Sequence, residues 1–340
     1  MGKFIKKKWF IGIDISKNFI DAAILKENEP GRFTNHRFSN DLKGFESMKE
    51  WYVKHEVKLS SCLFCMEHTG TYGLLLCAWL SQQNADFCVE PGLQIKQSLG
   101  MTRGKNDVID ARRIATYALN KRADLKPHIL PPVTLLNMKQ LLTYRDQLVR
   151  QRSSLKNSLQ SHLEYQKIST DDFVTKDIQQ QMEHLSCSVA EVEKKIMGII
   201  ENEEQLKENY NLATSVKGIG LVIAAFMLVT TQNFTGFENG RKFACYAGIA
   251  PFPNESGTSI KAKSKVSYLG NKKIKTLLSN GANSAKSWDP EIKAYYKRKI
   301  DEGKEHKAVI NAISCKLVNR VFSVVKRQTP YVSIYQQNFA

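Results

Sequence analysis

From residue 9 to residue 120 the apolar residues change period in a set order, and that order restricts the fold more than any other feature of the chain. Residues 9 to 15 and Phe19 to Leu25 read as strands, and Arg32 to Ser39 reads as a third, with Glu27 to Gly31 as the turn before it. Asp41 to His55 then places Leu42, Phe45, Met48, Trp51 and Tyr52 at helical spacing. Lys58 to Met66 is a buried-looking strand, Thr71 to Gln82 a helix, Asp86 to Val89 a short strand and Val108 to Asn120 a helix. A three-strand meander followed by alternating helix and strand implies an α/β domain with a mixed sheet.

That order matches the ribonuclease H-like topology. It also carries acids in telling places. Asp107 and Asp110 stand three apart in Asn106-Asp107-Val108-Ile109-Asp110-Ala111-Arg112-Arg113, on one face of a helix. Asp14 lies in Ile11-Gly12-Ile13-Asp14-Ile15-Ser16, and Glu67 ends the strand in Phe64-Cys65-Met66-Glu67-His68-Thr69-Gly70. Either helical aspartate alone reads as a cap or a solvated residue. Four carboxylates in this strand order suit a site that holds divalent metal, Mg²⁺, against a phosphate.

The chain has 340 residues and a formal net charge of +17, which points to a polyanionic partner, nucleic acid or a membrane surface. The longest apolar run, Ile219 to Val229, is too short to span a bilayer. Asp14 interrupts the apolar stretch that follows the N-terminal lysines, so no secretory signal is expected. Seven scattered cysteines read as reduced thiols of a cytoplasmic protein, and Cys62 and Cys65 as buried strand residues rather than a metal or redox pair.

Residues 135 to 206 change character. Ile178, Met182, Leu185, Val189, Val192, Ile196, Ile199 and Leu206 keep a heptad rhythm that only Glu203 interrupts, and Leu141, Leu148 and Leu155 stand seven apart upstream. Two long helices are expected, either folded back on each other or paired with a second protomer. The chain is thus expected to comprise an α/β domain (9–134), a helical coiled-coil segment (135–207) and a mostly helical third domain (208–330). In the third, Ser215-Val216-Lys217-Gly218-Ile219-Gly220 followed by an apolar run fits a helix–hairpin–helix element. Its Lys217, Gly218 and Gly220 are candidates for holding one phosphate. From Ser256 to Trp288 there is no acid but seven lysines, among them Lys261, Lys263, Lys265, Lys272 and Lys273. Such a segment can clamp phosphates, and in Glu255-Ser256-Gly257 the glycine beside Ser256 allows an exposed turn that suits a hydroxyl reaching for a phosphate.

These motifs together resemble the insertion-sequence-110 family, the DEDD transposases that include bridge-RNA-guided recombinases and Piv-type DNA invertases. Gly12-Ile13-Asp14-Ile15-Ser16-Lys17, Met66-Glu67-His68-Thr69-Gly70-Thr71-Tyr72 and Lys105-Asn106-Asp107-Val108-Ile109-Asp110-Ala111 resemble its three acidic motifs. Gly218-Ile219-Gly220 and Tyr246-Ala247-Gly248-Ile249-Ala250-Pro251 resemble its C-terminal transposase domain. The resemblance implies a RuvC-like domain with Asp14, Glu67, Asp107 and Asp110 as Mg²⁺ ligands and Ser256 as the nucleophile, although relatives often carry Gln or Ser where Glu255 stands. It further implies donor and target DNA and a structured non-coding guide RNA as partners. Homodimers or homotetramers, the serine domain of one subunit facing the RuvC-like domain of another, and a place on the nucleoid of a bacterium or archaeon also follow from it. A Piv-type invertase without guide RNA is the nearest alternative. A RuvC-like resolvase or nuclease would need the acids alone, and a non-catalytic nucleic-acid-binding protein would leave them without purpose.

Overall fold

The computed structural model describes residues 3–98, 106–168, 171–256 and 260–332, and the side chains of residues 253–265 lie outside that description. The chain forms two compact units, Met1–Leu130 and Pro131–Ala340.

The first unit is built on a five-stranded sheet in the order β3-β2-β1-β4-β5. The strands are β1 (Trp9–Ile15), β2 (Phe19–Lys26), β3 (Phe33–Ser39), β4 (Cys62–Glu67) and β5 (Phe87–Glu90). β1, β2 and β3 form the antiparallel meander, while β4 and β5 run parallel to β1. Helices α1 (Leu42–Lys54), α2 (Leu74–Gln82), α3 (Gly92–Ser98) and α4 (Asp107–Lys121) complete the unit. The strand period of two sorts β1 between two cores. Ile11, Ile13 and Ile15 pack with Phe45 and Met48 of α1 and Leu76 and Leu80 of α2. Phe10 packs on the other face with Ile114, Ala115 and Tyr117 of α4. Cys62, Cys65, Cys77 and Cys88 are buried free thiols of these cores, and burial pushes the Cys77 thiol up to about 11.

Two differences from the sequence reading have local causes. α3 was not expected, because its seven residues bury only Ile95 and so show no helical period. The strand expected from Lys58 begins at Cys62, because Leu59–Ser61 form a single 3-10 turn.

The second unit opens with two long helices, α5 (Val133–Gln166) and α6 (Phe173–Glu201). Arg145 donates to Glu193 at 2.7 Å and Arg152 to Ser186 at 3.2 Å, so the partners descend on α6 as they rise on α5 and the pair is an antiparallel hairpin. Val189, Val192, Ile196 and Ile200 are buried with Leu135, Met138, Leu142 and Leu148 of α5. Leu206 of α7 (Glu204–Thr214) and Ala225 and Leu228 of α8 (Leu221–Thr230) join the same core. This stretch of the heptad seam is therefore buried within the chain itself, with Ile200 rather than Ile199 in the core. Towards the far end of the hairpin Met182 and Leu185 are half-buried and Ile168 and Phe173 are exposed.

The remainder comprises α9 (Gly240–Tyr246), a two-stranded hairpin of β6 (Pro251–Ser256) and β7 (Ile260–Val266), α10 (Lys272–Trp288), α11 (Pro290–Asp301) and α12 (His306–Arg327). Among the described residues, α12 alone is long and apolar enough to cross a membrane, but half of that stretch is buried in the fold. Its Val309, Ile313, Leu317, Val321 and Val324 form the centre of the unit's largest apolar cluster, so it serves as a core helix.

One close approach governs the first unit. A Cβ on Gly12 would stand 2.2 Å from both the Ala111 carbonyl oxygen and the Ala115 nitrogen. Backbone atoms cannot swing aside, so Gly12→Ala should lift α4 from β1 and cost at least about 1–3 kcal/mol, read as a lowered melting temperature.

Candidate active site

The face of the sheet that carries α4 ends in one row of ionisable residues, one from each strand. Arg37 of β3 stands opposite Asp21 of β2, and Asp21 opposite Asp14 of β1. Ile13 pairs with Met66, so Asp14 lies one position further on, beside Glu67 of β4. Glu67 in turn stands opposite Glu90 of β5. The same period that buries Phe10, Leu25, Leu63 and Cys88 under α4 brings these five side chains to the same face at its open end.

α4 supplies the remaining acids. Its N-cap is Asn106, whose side chain accepts from the Val108 amide at 3.0 Å. Asp107 is thereby free of capping, and it and Asp110 occupy the first turn, where the helix dipole favours negative charge. Because Gly12 seats α4 directly on β1, this turn comes down near Asp14. Burial, then the charges of Asp110, Asp107, Glu67 and Asp21, push the Asp14 carboxyl up to about 6. Glu67 is placed by a second close approach, since a Cβ on Gly92 would meet its Oε1 at 1.9 Å. Glu90, also raised by burial, accepts from the Tyr117 hydroxyl at 3.1 Å.

Two arginines reach into this cluster. Arg37 donates to both oxygens of Asp21, and its Nη2 also reaches Asp107 at 2.9 Å. Arg113 donates to Asp110 at 2.8 Å. Among the described residues no three His, Cys, Asp or Glu side chains are drawn together closely enough to hold a metal ion. Two of the four predicted acids, Asp107 and Asp110, accept from guanidinium groups. The donor set nonetheless fits a hard divalent cation: all the groups are carboxylate oxygens, and their mutual repulsion falls on Asp14.

In the second unit, Ser256 ends β6 and pairs with Ile260, while Glu255 pairs with Lys261 and Phe252 with Lys265. Sequence reading saw only a turn here, not a hairpin. Gly257 lies outside the described residues, as do the side chains of Ser256, Lys261, Lys263 and Lys265. Lys272 is exposed at the first turn of α10. Lys273 pairs instead with Asp146 of α5, which also holds Arg150. Burial would raise the Asp146 carboxyl, but those two cations hold it below the usual carboxylate range. Lys217 is exposed between α7 and α8, and Gly220 caps α8. Gly218 has a φ of +95°, and a Cβ there would stand 2.5 Å from the Gly281 carbonyl oxygen, so this glycine packs on α10.

Comparison with known proteins decides the family. Residues 11–166 match a profile described as "Transposase", and residues 210–297 match one described as "Transposase IS116/IS110/IS902 family". The chain belongs to the IS110 family of transposases. It is an enzyme that recombines DNA. It is 28% identical to the pilin gene-inverting protein of Moraxella bovis over 331 residues, 95% of this chain and 98% of that protein. It is 32% identical over 120 residues to the insertion element IS110 protein of Streptomyces coelicolor, 35% of this chain and 29% of that protein. With the IS116 protein of Streptomyces clavuligerus the identity is 20%, over 93% of this chain and 94% of that protein.

In this transposase Asp21, Arg37 and Glu90 escaped sequence reading. Asp21 sits in a strand whose other residues are mostly apolar, and a buried acid there was the available signal. Arg37 and Glu90 carry no signal without the strand register. Two outcomes follow. Gly92→Ala meets a flexible carboxylate rather than backbone, so it should displace Glu67 while the melting temperature stays within a few degrees; a crystal structure and a melt check both. For Asp14, the folded-state carboxyl is raised from 3.8 to about 6, so its ionisation opposes folding. In EDTA that cost is absent below about pH 4, grows through pH 4–6 and is full above pH 6. Asp14→Asn should therefore stabilise the metal-free protein above pH 6 by about 1 kcal/mol after allowance for solvent screening, and change nothing near pH 3.5.

Proposed function

We propose that the chain cuts and rejoins DNA through a serine–DNA phosphodiester, with Ser256 as nucleophile and divalent metal held by Asp14, Glu67, Asp107 and Asp110. The observation that carries this reading is the row of carboxylates across the sheet, with α4 closing over it and Asp14 destabilised by its neighbours. Mg²⁺ bound there would polarise the scissile phosphate and stabilise the leaving hydroxyl. Ser256 Oγ attacks phosphorus, a P–O bond to a deoxyribose oxygen breaks, and the serine proton passes through solvent to that oxygen, which leaves as a hydroxyl. Return of a sugar hydroxyl to the phosphoserine rejoins the strand and restores the serine. The lysine-rich segment supports the assignment, since Ser256 is the last residue of β6 and lysines follow it closely in the sequence.

The resemblance to the insertion-sequence-110 family implies a structured non-coding guide RNA as a partner beside DNA, and the net charge of +17 suits polyanionic partners. Lys217, Gly218, Gly220, Lys261, Lys263, Lys265 and Lys272 are the proposed phosphate contacts, in part through a helix–hairpin–helix element at α7 and α8. Lys273, paired with Asp146, contributes by anchoring α10 to α5. The antiparallel α5–α6 hairpin is the proposed seat of dimer or tetramer contacts. A second reading, site-specific inversion of a DNA segment without guide RNA, is favoured by the near full-length similarity to the pilin gene-inverting protein.

Incubation with Mg²⁺ and DNA carrying the element's ends tests the chemistry. Wild type should yield a protease-sensitive protein–DNA adduct. Ser256→Ala should keep DNA binding and lose the adduct and cleavage by more than about a thousandfold. Asp110→Asn should lose cleavage with binding retained. An adduct from Ser256→Ala removes that serine from the mechanism, and wild-type cleavage with no adduct makes water the nucleophile. Dependence of the reaction on RNA transcribed from the element separates the guided reading from inversion.

A further inference from the structure

Arg37 has two unequal carboxylate partners. Asp21 is buried, 6% exposed, and accepts from both Nε and Nη2 of the guanidinium. Asp107 is held by a single bond from Nη2, and its side chain is 57% exposed. The ring of Phe19 lies 5.8 Å below the guanidinium and fixes its plane further. Arg37 is thus anchored on β2 and reaches outward to one of the four acids read as metal ligands. Asp107 is the partner free to leave, and Asp21 is the one that stays.

Resting on the reading of those acids as a metal site, we propose that Arg37, anchored by Asp21, is a positioning residue that competes with the metal for Asp107 and turns to the DNA phosphate once the metal takes that carboxylate. The physical reason is charge. In the metal-free protein Arg37 is the cation that offsets Asp107. A divalent ion on Asp107 leaves Arg37 beside a positive centre with one Nη2 hydrogen released, and the nearest anion that satisfies both is a backbone phosphate at the open end of the sheet. Metal and DNA each displace or recruit the same guanidinium, so each strengthens the binding of the other.

The experiment titrates Mn²⁺ into full-length protein by calorimetry, with and without saturating duplex DNA. Without DNA, Arg37→Gln should bind Mn²⁺ about two- to fivefold more tightly than wild type, the range set by release of one exposed ion pair. Arg37→Lys, which keeps the charge but not the fork, should fall between the two and serves if the glutamine variant does not fold. Duplex DNA should tighten Mn²⁺ binding to wild type and do so less for the variant. Equal or weaker Mn²⁺ binding by both variants overturns the proposal, as does a DNA effect that is undiminished in Arg37→Gln. Asp14→Asn is the separate control: if it binds Mn²⁺ as wild type does, the metal site itself is misread, whatever Arg37 shows.

Discussion

The backbone of α4 rests directly on β1 at Gly12, and the acidic end of the sheet depends on that contact. A side chain of any size at residue 12 would meet the Ala111 carbonyl and the Ala115 amide. With none there, the small residues Ala111, Ala115 and Ala118 let the helix settle onto the strands. The first turn of the helix then reaches the level of Asp14, and like charges gather where no single element would hold them. The cost appears on Asp14, while Arg37 and Arg113 pair with Asp107 and Asp110.

The second unit uses the same device for a different end. Gly218 and Gly281 bring the α7–α8 connection onto α10, and a Cβ on Gly270 would stand 2.2 Å from the Gly248 Cα. That second contact closes the base of the β6–β7 hairpin just before Asn271 caps α10 with its side chain. The ion pair of Lys273 with Asp146 ties α10 to α5, and buried Asp289, which caps α11, is held by Arg320 of α12. Backbone contacts set where the hairpin leaves the helices, and paired charges keep the helices from sliding.

Several elements were legible because periodicity survives without tertiary context. β1 and β2 alternate or run apolar, α1 carries five apolar residues at helical spacing, and α6 keeps its heptad rhythm from Ile178 to Ile196, with Glu203 lying beyond its end. α3 was invisible because seven residues with one buried side chain have no period. The β6–β7 hairpin was read as a turn because its strands are rich in lysine and polar residues, which are poor strand formers, and its pairing is backbone to backbone. The heptad seam shows a limit of another kind: its spacing alone could not tell a partner chain from α5, α7 and α8, and Val189 to Ile200 are covered by the chain's own helices.

The candidate site divides along the same line. Asp14, Glu67, Asp107 and Asp110 could be picked from sequence because each sits in a recognisable local pattern, a strand end or a helix start, and the family motifs lie in order along the chain. Asp21, Arg37 and Glu90 could not, because what joins them to that site is register: which residue of one strand faces which residue of the next. Sequence by itself determined the family, the α/β character of the first unit, the helical character of the second and the excess of positive charge, since all of these reside in composition, local period and motif. Only the tertiary structure decided that five strands end in one charged row and that Lys273 faces Asp146, because each depends on distances between residues far apart in the chain.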